Sequence, residues 1–236
     1  DFLGALHRFQ PDRILVGHAH PKLLLSAALM LPKKYAALAY GNDYLAAQRR
    51  WHRPLFNWLL RRASPLVTIS QHNARRLQQL SVSAQAVIYP GTDPSCFYVP
   101  SVSPALPLTL LTVGRLVPRK GIDSVLCTIP HLLPKFPDLR YHIVGDGPDR
   151  KRLESLVQEL NLAAQVRFFG RVSEDQLPKM YRDAHVFVMP TREETNAGSV
   201  EGFGIVYLEA SACGLPVVAA RSGGASEAVR EGETGL

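Results

Sequence analysis

Cysteine is scarce in this sequence and falls into no pattern. The 236 residues hold three, Cys96, Cys127 and Cys213, odd in number and without metal-ligand spacing. Such scattered thiols point to a reduced, cytoplasmic setting rather than a disulfide framework. No apolar run reaches the roughly 18 residues that crossing a bilayer requires. The stretch LLLSAALML, residues 23–31, falls well short of that and reads as a buried helix. A G-x-x-x-x-G-K-[ST] loop is absent, as is G-x-G-x-x-G, which weakens P-loop and dinucleotide-redox readings. No acidic metal pair, no obvious nucleophile and no nucleic-acid motif stand out. The expectation is therefore no metal, no cofactor and no nucleic-acid partner.

Acidic residues are sparse in one part only. Residues 1–104 carry 12 Lys and Arg against 4 Asp and Glu, a balance of +8, while the remainder carries 15 against 16, a balance of −1. Charge asymmetry of this kind suits an anionic partner, a phospholipid or phosphorylated substrate among them. A merely solvated basic surface reads the same way.

What is present is a repeated rhythm. Short apolar runs at 13–19, 35–40, 65–70 and 86–91 read as strands, separated by helices ending at Met30, over 45–63 with an interruption near Pro54, and over 72–80. After a stiff stretch holding Pro100, Pro104 and Pro107, the pattern resumes. Strands are predicted at 108–114, 139–145, 165–170, 185–191 and 215–220, with helices at 121–133, 150–160, 174–184, 204–213 and 225–232. Strands alternating with ten-residue helices mean βα units, parallel sheets and an α/β class. The expected architecture is two Rossmann-like domains facing a cleft, residues 1–100 and 107–236, joined by a linker at 101–106. Ligands of such sheets sit at the strand carboxyl ends. The chain opens on Asp1 within an apparent helix tail and stops in a turn, GETGL, so it reads as a fragment with both domains truncated.

Four strand ends of the second domain draw attention. GRLVPRKG, residues 114–121, puts Arg115 and Lys120 in one loop behind Gly114 and ahead of a helix, a natural pyrophosphate grip or else a basic surface turn. GDGP, residues 145–148, alone is a turn. FFGRV, residues 168–172, would let backbone near Arg171 and Val172 approach a base, though a simple turn reads as well. EGFGIVYLE, residues 201–209, combines Glu201, a Gly202–Gly204 turn and a helix start. The N–H groups of Phe203, Gly204, Ile205 and Val206 would face outward at the positive helix end. Glu209 sits among apolar neighbours, where a bare charge is costly. Carboxylates accept paired hydroxyls well.

EGFGIVYLE resembles the E-x-F-G-x-x-x-x-E signature of family 4 retaining glycosyltransferases, which have the GT-B fold. GRLVPRKG, IVGDGP, VRFFGRVS, DAHVFVMPT and ACGLPVVAARSGGASEAV follow in the family's order, covering residues 107–236. VTISQHNARRL and VIYPGTDPSCF carry a weaker likeness. The resemblance implies that Arg115 and Lys120 grip the donor diphosphate, with Gly114 freeing the loop. It assigns Glu209 to ribose hydroxyls, and Glu201 to the transferred sugar. Backbone from Gly202 to Val206 would hold sugar and phosphate, and Arg171 with Val172 would meet the base. His20, or alternatively His18, would lie near the sugar. It implies a metal-independent hexosyl transfer from GDP-mannose or a UDP-hexose to a lipid-linked, glycan or other envelope acceptor. A sugar-nucleotide epimerase and a non-catalytic sugar-nucleotide-binding protein are the alternatives. The family's glycine-rich loop near the N-terminus has no counterpart in this sequence. QRRWHRPLFNWLLRR, residues 48–62, mixes arginines with Trp51, Phe56 and Trp58. It suits peripheral contact with an anionic membrane, the inner face being expected, or an ordinary helix burying Trp58 and Leu59.

Overall fold

The computed structural model describes residues 4, 8–9, 12–30, 35–41, 53–102, 104–193 and 200–236. It divides into two compact units, Asp1–Pro90 with Glu194–Phe203, and Gly91–Glu193 with Gly204–Leu236. The 101–106 stretch, expected as a linker, lies in the span of the second unit, and residues 201–203 group with the first.

The first unit is built on a parallel sheet in the order β1 (Leu15–Val16), β2 (Ala36–Ala39), β3 (Leu66–Thr68), β4 (Ala86–Val87). Helices α1 (Pro21–Met30), α2 (Arg53–Arg62) and α3 (Gln71–Gln79) accompany it. Small Ala37 and Ala39 on β2 let Leu24, Phe56, Leu59, Leu60 and Leu77 close over the sheet, all buried. The strand expected at 13–19 is two residues long, and among the described residues β1 lies at the edge of the sheet with β2 as its neighbour. Pro54 does not interrupt α2. It sits in the first turn, where no N–H is needed. Phe56 and Leu59 face the core, but Trp58 does not, being 47% exposed. Residues 42–52, with Arg49, Arg50 and Trp51, lie outside the described residues. Ser70 caps α3, accepting a hydrogen bond from the Asn73 N–H at 3.2 Å, the capping expected of serine.

The second unit holds β5 (Thr109–Val113), β6 (Arg140–Val144), β7 (Val166–Gly170), β8 (Val186–Met189) and β9 (Val217–Ala219). The order is β7-β6-β5-β8-β9, all parallel. All five residues of central β5 are buried, as a parallel strand covered on both faces requires. Around the sheet run α4 (Ile122–Leu132), α5 (Arg150–Glu159), α6 (Leu177–Arg182), α7 (Ile205–Ala212) and α8 (Ala225–Ala228), with a 3-10 turn at Pro118–Lys120. Ile122, Leu126, Ile129 and Leu153 pack on Tyr141 and Ile143 in the core. The chain winds outward from β5 through β6 to β7, then returns to place β8 on the other side of β5. The carboxyl ends of β5 and β8 therefore form the topological switch point, where open α/β sheets take their ligands.

Gly121 closes the 3-10 turn onto that point. Its φ is +70°, and a Cβ there would lie 2.1 Å from the Pro190 carbonyl oxygen just beyond β8. Strain and collision together predict that Gly121→Ala lowers stability by roughly 2 kcal/mol or more. Chemical denaturation reads this directly, and a parental midpoint would show that the turn does not need glycine.

Candidate active site

Backbone contacts lace three loops together at the switch point. The Gly114 N–H donates to Val144 O at 2.9 Å, Leu116 N–H to Asp146 O at 3.0 Å, and Asp149 N–H to Leu116 O at 3.1 Å. The Gly145 N–H donates to Gly170 O at 2.7 Å. A Cβ on Gly145 would come 2.0 Å from Gly114 O, and one on Gly147 would come 2.2 Å from Leu116 O. GDGP is thus more than a turn. Its glycines let the backbone of the 145–149 loop press against the 114–121 loop from behind. Two glycines one residue apart after a strand were the signal, but only their neighbours show the purpose.

That pressing fixes Lys120. Its side chain is buried, 7% exposed, and the missing Cβ of Gly114 is where the chain bends past it. A Cβ on Gly114 would lie 3.7 Å from Lys120 Nζ and 3.9 Å from Met189 Sδ. The ammonium therefore stands at the carboxyl end of β5 beside the end of β8. Arg115 differs. It is exposed, and its guanidinium makes no hydrogen bond or ion pair with a described residue. The next segment is tied down as well. Arg192 donates to Asp123 Oδ2 at 2.7 Å, and its N–H donates to Arg119 O at 2.8 Å. Arg152 adds a second bond to Asp123 at 3.1 Å. Burial alone would raise the Asp123 carboxyl, but Arg192 and Arg152 hold it below its ordinary value of 3.8.

α7 begins at the same place. Gly204 caps it in a left-handed conformation, φ 89°, and makes no side-chain capping hydrogen bond. The N–H groups of Ile205 and Val206 have no carbonyl a turn earlier to bond, so they present the positive helix end. Tyr207, fully buried, donates to Met189 O at 2.8 Å and pins the first turn to β8. One turn on, Glu209 Oε2 accepts a 2.6 Å hydrogen bond from the Tyr181 hydroxyl of α6. Tyr181 was not foreseen from the sequence. It answers how a carboxylate stands in apolar surroundings. Oε1 receives no hydrogen bond from a described residue and is open to a ligand's hydroxyl. Burial pushes the Glu209 carboxyl above its ordinary value of 4.5, partly offset by Tyr181. Arg171 follows β7 exposed, and Val172 is half-buried beside it.

In the first unit, Glu201 is buried, 8% exposed, and Phe203 stacks on Tyr89 with ring centroids 5.5 Å apart. His20 stands just before α1, where its Nδ1 accepts the Lys22 N–H at 3.3 Å. His18 lies beside it, ring centroids 6.4 Å apart, and both are exposed. Residues 194–199, just before Glu201, lie outside the described residues. The concavity between residues 106–108 and 135–140 opens at the amino ends of β5 and β6, away from this chemistry.

A family model described as Glycosyl transferases group 1 matches residues 101–236. The chain belongs to this family. A GDP-mannose-dependent alpha-(1-6)-phosphatidylinositol monomannoside mannosyltransferase of Mycolicibacterium smegmatis is 46% identical over 126 residues, 53% of this chain and 33% of the relative. A Salmonella typhimurium protein named for colanic acid biosynthesis is 30% identical over 94% of this chain and 56% of its own length. The chain thus spans about a third to just over half of these relatives. Sucrose-phosphate synthase from Thermosynechococcus elongatus superposes with a TM-score of 0.81 at 24% identity, over 100% of this chain and 62% of that one. The fold is GT-B, as the group 1 signature implied.

The raised Glu209 pKa carries a sign. The fold prefers the protonated form, so the residue's contribution to stability is complete below its ordinary value of 4.5 and is lost as pH rises through the raised folded value. Glu209→Gln should therefore be more stable than the parent at neutral pH, with the difference vanishing on acidification. Urea melts across that range check it, and a variant weaker at neutral pH would reverse the assignment.

Proposed function

We propose that the protein is a retaining, metal-independent glycosyltransferase that moves a hexosyl group from a nucleotide-sugar to a lipid-linked, glycan or other envelope acceptor. The observation that carries this reading is the buried Lys120 ammonium, held at the β5–β8 switch beside the strand that anchors the start of α7. A cation and a positive helix end on one strand terminus suit a diphosphate. Exposed Arg115 closes on the same group from solvent. Glu209 takes the ribose hydroxyls with its open oxygen, and backbone near Arg171 and Val172 borders the base. Glu201 takes hydroxyls of the sugar, with His20 on the same substrate. GDP-mannose is the favoured donor because the Mycolicibacterium relative is named for it, with a UDP-hexose second.

In the reaction, the bond between the sugar's anomeric carbon and the diphosphate oxygen lengthens. Negative charge gathers on the departing diphosphate, where Lys120, Arg115 and the α7 N–H groups stabilise it. The acceptor hydroxyl attacks the face the diphosphate is leaving, and its proton passes to the leaving phosphate. Configuration is retained. The residues position and neutralise, and none forms a covalent bond.

The acceptor side falls to α2. Leu55 and Trp58, each 47% exposed, share a face with Arg61 and Arg62, and the Arg62 guanidinium lies 5.2 Å from the Trp58 ring. Arginines around an exposed tryptophan fit an anionic lipid surface. Among the described residues no helix is long and apolar enough to cross a membrane, so the contact would be peripheral.

Calorimetric titration of the full-length protein with GDP, UDP and ADP tests the donor reading. One diphosphate should bind clearly more tightly than the others, and Lys120→Ala should lower turnover by roughly 100-fold or more. Failure to bind any of the three would overturn the proposal. Separately, phosphatidylglycerol vesicles should float the protein at low salt and release it at high salt, with Trp58→Ser and Arg61→Glu abolishing flotation. Binding that ignores salt and both substitutions would reject docking through α2.

A further inference from the structure

We infer that Asn73 is a positioning residue that seats the Glu201–Phe203 segment in the first unit and thereby sets where the Glu201 carboxylate stands. The proposal rests on the assignment of Glu201 to the transferred sugar. It concerns a residue of the VTISQHNARRL stretch to which no role had been given.

Asn73 lies on α3 with no exposed surface. Its backbone N–H donates to the capping Ser70 Oγ at 3.2 Å. The amide nitrogen donates to Tyr40 O, just past β2, at 3.0 Å, and reaches Gly202 O at 3.5 Å. Its oxygen borders the next residue of the same turn, since a Cβ on Gly41 would come 3.0 Å from Asn73 Oδ1. One buried amide thus joins the end of β2, the start of α3 and a segment 129 positions along the chain.

The seat is shaped for that segment. A Cβ on Gly202 would lie 2.5 Å from Tyr40 O and 3.3 Å from Ile69 Cδ1. Only glycine enters this niche without displacing backbone. On one side of it Phe203 is 3% exposed and stacked on Tyr89; on the other Glu201 is 8% exposed. A glycine next to the carboxylate gives the segment no stiffness of its own. Its position depends on what it rests on, which includes the Tyr40 carbonyl, Ile69 and the Asn73 amide. Aspartate has the shape of asparagine but no N–H to donate. At position 73 it would set an oxygen against the two carbonyls that the amide nitrogen now satisfies.

Three measurements on the full-length protein and its Asn73→Asp variant test the seat, with Gly202→Ala as a second route that leaves α3 untouched. Asn73→Asp should bind the parent's preferred nucleoside diphosphate within about 2-fold of the parent, and both variants should lose roughly 10-fold or more in kcat and the added affinity that the intact nucleotide-sugar has over the diphosphate. Hydrogen exchange should quicken at residues 200–203 while β5 and β6 keep their protection. Parental kcat, or an equal loss of diphosphate and nucleotide-sugar affinity, would overturn the positioning role, the second because it marks general damage. If the parent binds no nucleoside diphosphate, the transferase reading fails instead. The exchange result then decides alone, and unchanged exchange at 200–203 overturns the seat.

Discussion

Everything in the second unit depends on backbone approaching backbone at the carboxyl ends of its central strands. Gly145 and Gly147 press the 145–149 loop onto the 114–121 loop, and Gly121 presses the 3-10 turn onto Pro190. Each approach is closer than any side chain allows. The result is a rigid floor through which a long cationic side chain can run and still be buried. A lysine on a loose surface loop would wave in solvent, spending rotamer entropy on each binding event. Lys120 has lost that freedom on folding, which is the arrangement a charge-stabilising group needs.

The charged groups around this floor are managed in opposite ways. Asp123 is surrounded by Arg192 and Arg152 and is held ionised, tying the segment after β8 to the head of α4. Glu209 meets one hydroxyl and no cation among its hydrogen-bond partners, so burial raises its pKa. The first carboxylate serves the fold. The second is tolerated by it, with one oxygen left open, the pattern of a group kept for a ligand at some expense in stability. The E-x-F-G-x-x-x-x-E signature is itself shared, since Glu201 to Phe203 pack in the first unit and Gly204 to Glu209 in the second.

Much of this was legible in the chain. The βα rhythm located β5 to β9 and their helices to within a few residues, because both apolar faces of a parallel strand must be buried and the pattern shows it. The loop and helix start of the candidate site were visible too, since glycine before a basic turn and before an apolar helix marks where the chain bends at a strand end. Edges were less legible. β1 is two residues long where seven were expected, and among the described residues it has one neighbour to extend it. Trp58 and Pro54 on α2 also read differently once the turn that holds each was known.

By itself, then, the sequence determined the α/β class, the order of elements and the residue types gathered at the strand ends, all of which follow from local periodicity and spacing. Only the tertiary structure decided that Lys120 is the buried cation of its loop, that GDGP braces its neighbour, that Tyr181 partners Glu209 and that Asn73 reaches Gly202. These meetings join segments from 28 to 129 residues apart. No local pattern encodes such a meeting; it exists only after the sheets have folded and brought their strand ends together.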